Sequence, residues 1–420
     1  GMIALVMSMS LPMTTYAADW YLEDGSITVD AGDSGQTVTQ GSTSTPDDAP
    51  VVTQRDSSAE TSNTITINAS ENATANVTIS NVNINASNNT GSESKAAVST
   101  SGKGNVNIEL DGTNTLKSGR EHAGLEKSGD GKLTITDENG NGKLIATGGD
   151  YGAGIGGGKY GNGNDITITG GKVTATGGIS ASGIGGGDHG NGSNITITGG
   201  KVTATGGIGA SGIGGGEQGN GSNITITGGE VTAAGGTNGA GIGGGLQKNG
   251  EKITVSGDAT IKVQGGPTNK WDGAGVGIGN GGSHNGAYNS WSLTPVNGAE
   301  TEPDISNLTT GKIEYYAPGA DMTKDEPTST TFGSPVQPEP SSPGETAAPV
   351  EYRMQTSASE PVQGNGKSTG YKAPVQGHFY QVVGQDGKAM IFATAQKKDV
   401  LAIATDSDFA MLTGKMEDIE

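Results

Sequence analysis

The chain has 420 residues, of which 77 are glycine and none is cysteine, and its 44 acidic and 24 basic side chains give a net charge of −20. Disulfides, zinc–thiolate sites, thiolate nucleophiles and iron–sulfur clusters are thereby excluded, and with only 15 prolines so is a collagen-like repeat. Nucleic-acid binding needs clustered Lys and Arg, whereas Arg55, Arg120 and Arg353 are the only arginines.

The first element in chain order is an apolar run from Met2 to Met13, followed by the small-residue stretch Thr14-Thr15-Tyr16-Ala17-Ala18. This pattern predicts a truncated secretory signal over residues 1–18, hence a secreted or cell-surface protein. The run falls short of the ~20 residues that a spanning helix needs.

Residues 19–298 are dominated by repetition. Gly154-Ile155-Gly156-Gly157-Gly158 recurs from Gly183, Gly212 and Gly241, at steps of 29 residues, and returns as Gly275-Val276-Gly277-Ile278 after a step of 34. Ile166-Thr167-Ile168-Thr169 recurs from Ile195, Ile224 and Ile253, and Lys172-Val173-Thr174-Ala175 recurs from Lys201 and as Glu230-Val231-Thr232-Ala233. Weaker copies lie at Val77, Val106 and Leu133, with Ser26-Ile27-Thr28-Val29 as the earliest. Apolar residues alternate with Thr, the period of a strand with one buried face. A unit this small cannot bury a core alone, so successive units must stack.

The expectation is an all-β, right-handed, single-stranded parallel β-helix of about 8–10 coils, with three short strands per coil. Ile166, Ile195, Ile224 and Ile253 would form one interior column. Val173, Val202 and Val231 would form a second, and Ile155, Ile184, Ile213 and Ile242 a third. A β-propeller would need ~40–45 residues per repeat. A calcium-binding nonapeptide roll, suggested by Gly161-Asn162-Gly163-Asn164-Asp165, has the wrong repeat length.

Residues 299–366 are rich in Pro, Ser, Thr and Glu and predict an extended linker. Residues 367–420 predict a small β-rich module, with Gln385-Asp386-Gly387 as a hairpin turn. Residues 150–280 hold 8 acidic and 7 basic side chains and residues 300–420 hold 18 and 9, so much of the acidity lies outside the repeats.

Candidate ligand-binding residues occupy equivalent repeat positions. Tyr160, His189 and Gln218 form one column, with Gln247 continuing it, and Asp165, Asn194 and Asn223 form another. Asp188 and Glu217 offer hard oxygen ligands for calcium, or carboxylates for hydrolysis. Stacked Lys172 and Lys201 would meet an acidic sugar, or Lys201 would pair with Glu230 on the surface. Trp271 lies in the insertion Pro267–Asp272, where a loop breaks the period, and Trp291 is a second candidate for a capping or ligand role. The outward Thr167/Thr169, Thr196/Thr198 and Thr225/Thr227 pairs suit sheet propensity and also match the flat arrays of ice-binding β-helices.

The Gly-Ile-Gly-Gly-Gly, Ile-Thr-Ile-Thr and Lys-Val-Thr-Ala-Thr phrases resemble those of secreted bacterial β-helix proteins of the pectate-lyase-like superfold. They are similar in particular to clostridial carbohydrate-binding β-helix domains. The resemblance covers residues ~20–298. It implies extracellular or cell-surface binding of plant-type acidic polysaccharide, with calcium as the accompanying ion, and it carries over no catalytic residue. A non-enzymatic polysaccharide-binding rod is therefore expected. The alternatives are a surface adhesin or stalk displaying the C-terminal module, and a lyase or hydrolase of pectin-like substrates.

Overall fold

The computed structural model describes residues 18–87, 93–285 and 294–333, together with the backbone of six strands between residues 352 and 413. Residues 1–17 of the expected signal, Trp291, and residues 334–351, 356–360 and 365–366 of the expected linker lie outside the described residues. Two compact units divide the chain, residues 1–335 and 336–420.

The first unit is a right-handed parallel β-solenoid of about eight turns. In a representative coil the chain lays down Gly163–Ile168 on a first face, Lys172–Thr176 on a second and Ile184–Gly185 on a third, and then returns to the first face at Gly192–Ile197. Strands at equivalent positions join into three long sheets. Alternation within each strand sends every second side chain inward, and the 29-residue step brings identical side chains into register. Ile166 pairs with Ile195, Ile195 with Ile224 and Ile224 with Ile253, and the Val173 and Ile155 columns stack in the same way. These side chains are buried in one continuous core extending from Leu22 to Ile313.

Three details differ from the sequence reading. Ile242 pairs with Ile278, so the last turn returns after a step of 36 residues, and Val276 lies outside the column. A strand repeats its facing every two residues, so pattern alone cannot distinguish Val276 from Ile278. Ile27–Gly32 belongs to the third face, paired with Ile65–Ala69, and is not a copy of the first-face phrase. The solenoid also runs past residue 298 into the expected linker. Lys312–Tyr316 adds a parallel strand to Thr260–Gln264, and Ser329–Phe332 closes that edge antiparallel. Ile313 is inward and Leu308 is buried, which is why this polar stretch docks.

At the other end, Gly35–Gln40 and Thr43–Pro46 fold back antiparallel beside Ile27–Gly32. In the second unit, Tyr352–Gln355, Pro361–Gly364, Phe379–Gly384 and Ala389–Ala393 form one antiparallel sheet, and Val400–Ala404 pairs with Phe409–Thr413.

Candidate functional site: a loop ridge and the groove where strict repetition begins

Each two-residue strand of the third face lies between two glycine-rich loops. The first loop places Tyr151, Ser180, Gly209 and Asn238 at positive φ on successive coils, and the second does the same with Tyr160, His189, Gln218 and Gln247. Between the loops, Gly156, Gly185, Gly214, Gly243 and Gly279 form a register column with φ between +130° and +136°. A Cβ at Gly185 would sit 2.0 Å from the carbonyl oxygen of Gly214, so only glycine allows the coils to approach this closely.

With the glycine column bare, the loops interlock. Asp188 donates its backbone N–H to Tyr151 O at 3.0 Å, and Glu217 donates its own to Ser180 O at 2.8 Å. Along the stack, Tyr160 N–H reaches Asp188 O at 2.8 Å and His189 N–H reaches Glu217 O at 2.9 Å. The product is one ridge running along an edge of the rod.

A groove of about 670 Å³ opens at the end of this ridge where the irregular coils meet the strict ones. Glu121, His122, Glu126, Lys127 and Asp130 line it from the earlier coil, and Lys159, Tyr160 and Asp165 from the next. Glu126 is in register with Gly156, so a carboxylate stands where the later coils have glycine. Its Oε2 lies 2.9 Å from His122 Nδ1 and accepts the Ala123 N–H at 3.0 Å. That contact raises the His122 pKa above the ordinary histidine value against the opposing effect of burial.

Lys159 donates to Glu121 Oε1 at 2.8 Å, holding the Glu121 carboxyl below and the Lys159 ammonium above their usual values. The same ammonium lies 5.1 Å from the ring centres of both Tyr151 and Tyr160. Lys127 points inward and donates to Gly129 O at 2.6 Å. Burial lowers its pKa, while Asp165 and Asp130 act in the opposite sense. Tyr160 stands 67% exposed at the groove, edge-on to His189 with ring centres 5.8 Å apart.

The structure thus brings Tyr160, Asp165 and His189 to the groove or its lip, and continues the column with Gln218. Asp188 and Glu217 lie on the same ridge but are already engaged. Asp188 Oδ1 is 2.7 Å from His189 Nδ1, and Glu217 accepts the Ser180 hydroxyl. Among the described residues no group of three or more His, Asp or Glu side chains is arranged to hold a metal ion.

Asp165, Asn194 and Asn223 form a column at φ near +54°, each skipped in the strand pairing while the register on either side is kept. Asn194 donates to Asp165 Oδ1 at 3.0 Å and Asn223 to Asn194 Oδ1 at 3.3 Å, so much of their hydrogen-bonding capacity is used between coils. Lys172 and Lys201 open the second-face strands, away from the groove lining, in register with Lys143. Lys201 Nζ meets Glu230 Oε2 at 2.7 Å, with both side chains mostly exposed. Trp271, 48% exposed, rides on the insertion beside the far end of the ridge. There Asn269 donates to Asn238 Oδ1 at 2.6 Å, and Asp272 Oδ1 lies 2.6 Å from His284 Nδ1.

Sequence reasoning missed Glu121, His122, Glu126, Lys127, Asp130 and Lys159 because they lie at or before the start of the exact period. It also missed a second asparagine ladder. Asn162 Oδ1 accepts from Asn191 N–H at 2.9 Å, Asn191 Oδ1 from Asn220 N–H at 2.8 Å and Asn220 Oδ1 from Asn249 N–H at 3.1 Å. The unvarying Asn at 29-residue steps was its signal.

A beta helix repeat family matches residues 139–159, 166–188, 195–217 and 224–246, the last three of which lie within the strict period. No curated protein and no solved structure matches the chain. Among the described residues no helix is long and apolar enough to cross a membrane. The matched repeats and the three stacked parallel sheets together make this chain a parallel β-helix repeat protein.

Proposed function

We propose that this protein is an exported, non-enzymatic polysaccharide-binding β-helix that holds its ligand at the loop ridge and its groove. The observation carrying this reading is Tyr160, a large aromatic ring exposed at a groove lined by paired donors and acceptors. An aromatic face supports the C–H face of a sugar ring while polar groups around it fix the hydroxyls. The resemblance to secreted carbohydrate-binding β-helices favours the same class of ligand.

The test is retardation of the full chain in gels containing soluble polysaccharides, with and without calcium. Binding is expected, and uniform lack of retardation would contradict the proposal. Product release from any of these polymers would replace it with an enzymatic reading. The separate compact unit at residues 336–420 favours a second reading, a stalk that displays this unit. Binding lost on truncation after residue 335 and unaffected by groove substitutions would support that reading instead.

A further inference from the structure

The exposed large hydrophobic side chains among the described residues are Tyr160, Ile179, Ile208, Trp271 and Phe332. All but Phe332 lie on the ridge or the insertion beside it. Ile179 and Ile208, at 48% and 58% exposure, occupy one position of the first loop on successive coils. Ile179 O accepts the Tyr151 N–H at 2.9 Å, which ties this column to the loop of the coil that bears Tyr160. Nothing in coil packing requires isoleucine there, because equivalent positions hold Asp150 and Thr237. From the coil of Tyr160 to that of Trp271 is four coil steps, about 19 Å at ~4.8 Å per step.

Charge limits what can lie on this strip. Glu121, Glu126, Asp130 and Asp165 face Lys127 and Lys159 in the groove, four carboxylates against two ammonium groups. Asp150, Asp188 and Glu217 extend the acidity along the near part of the ridge, while Lys248 and Lys270 stand at its far end, Lys270 4.5 Å from the centre of the Trp271 ring. A polyanion would meet like charge at the groove and along the Asp188 and Glu217 coils that follow it, whereas an uncharged chain could offer hydroxyls to the carboxylates and C–H faces to the apolar side chains.

We infer that the ligand is an extended neutral polysaccharide lying along the ridge from Tyr160 to Trp271, and not the acidic polymer that the family resemblance implies. This rests on the proposed glycan-binding function and names its substrate class.

The experiment compares affinity electrophoresis of the full chain in a neutral β-glucan, a neutral mannan and polygalacturonate, followed by titration with neutral oligosaccharides of increasing length. Variants take the residue that another coil uses at the same position, Tyr160→Gln, Ile179→Asp and Ile208→Thr, so that the backbone is preserved. Trp271→Ala tests the far end, and Lys201→Ala is the control off the ridge. Expected are retardation in at least one neutral polymer and none in polygalacturonate, with affinity rising up to about the length that spans the strip. Tyr160→Gln and Trp271→Ala should each weaken binding at least about tenfold, and Lys201→Ala less than twofold. Preference for polygalacturonate, or neutral binding indifferent to length, would overturn this inference and leave the glycan-binding reading standing, whereas neutral binding indifferent to the ridge variants would overturn this inference and remove the glycan site from the ridge. Lack of binding to every polymer would overturn both.

Discussion

The coils before residue 150 and those from 150 to 265 follow the same path but solve their packing differently. In the earlier coils the third-face strands Ile65–Ala69 and Val98–Gly102 are full length, and polar burial is handled by single devices. Asn114, wholly buried, accepts from Val82 N–H at 3.2 Å and donates to Asp111 O at 3.0 Å. Ser118 donates to Ala123 O at 2.6 Å and accepts from Ala97 N–H at 2.8 Å. In the later coils each device recurs, as when Ser182 and Ser211 each donate to the carbonyl four residues on, at 2.8 Å. Repetition builds a uniform edge, and the recess forms at the seam, where Glu126 meets the glycine column. Irregularity gives the rod a distinctive recess, and regularity gives that recess a long flank.

The largest contrast is expected between two glycines. Gly185→Ala places a Cβ against the next coil's carbonyl at φ +132°, and should cost more than about 4 kcal/mol or prevent folding. Gly140 has φ +72° but open space around its Cβ position, so Gly140→Ala should cost only about 1–2 kcal/mol. Denaturant midpoints of the two variants measure the difference, and equal midpoints would refute the close approach of the glycine column.

Next in size are the interior columns. Ile195→Ala in the strict coils and Leu125→Ala in the earlier ones each remove a fully buried side chain, and each should cost about 2–5 kcal/mol by the same assay. If Ile195→Ala were nearly neutral, the strict coils would not share the packed core of the earlier ones.

A smaller effect is expected in the asparagine ladder, a device of the strict coils. Asn191→Ala deletes the acceptor for Asn220 N–H and should cost about 0.5–1.5 kcal/mol. Hydrogen exchange should show this as faster exchange at the Asn220 amide, with amides of the earlier coils unchanged. Equal acceleration in both regions would mean that the rod opens as one unit.

The smallest effect is the pH response of the seam. The His122 pKa is raised in the folded chain, chiefly by Glu126, so its contribution to stability is fully present below about 6.5. That contribution is lost as pH rises through the folded value. His122→Gln should flatten the stability profile over this window, and an unchanged profile would remove the His122–Glu126 contact from the account.

The sequence made the isoleucine and valine columns readable because an exact 29-residue period and a two-residue alternation point to the same buried face. Where the period loosens, alternation still marks strands but not their faces, so it separates neither the sheet of Ile27–Gly32 from that of the first-face strands nor Val276 from Ile278. The end of the solenoid is not legible because Lys312–Tyr316 follows a polar stretch, and its docking depends on the exposed end of a sheet more than 45 residues back. Of the candidate site, Tyr160, His189 and Gln218 were legible as a repeat column. Glu126 and His122 were not, because Glu126 faces Gly156 and Gly158 across a coil boundary that has no repeated signature and His122 is held by Glu126.

The chain carries four histidines, and their side-chain resonances report directly on where a ligand lies. His122 lines the groove, His189 stands at its lip, His284 is buried beside Asp272, and His378 belongs to the second unit. Titration of the full chain with a soluble neutral oligosaccharide should shift the imidazole signals of His122 and His189 together and leave His378 unmoved. Shifts confined to His378, with the first two silent at saturation, would contradict a binding site at the seam.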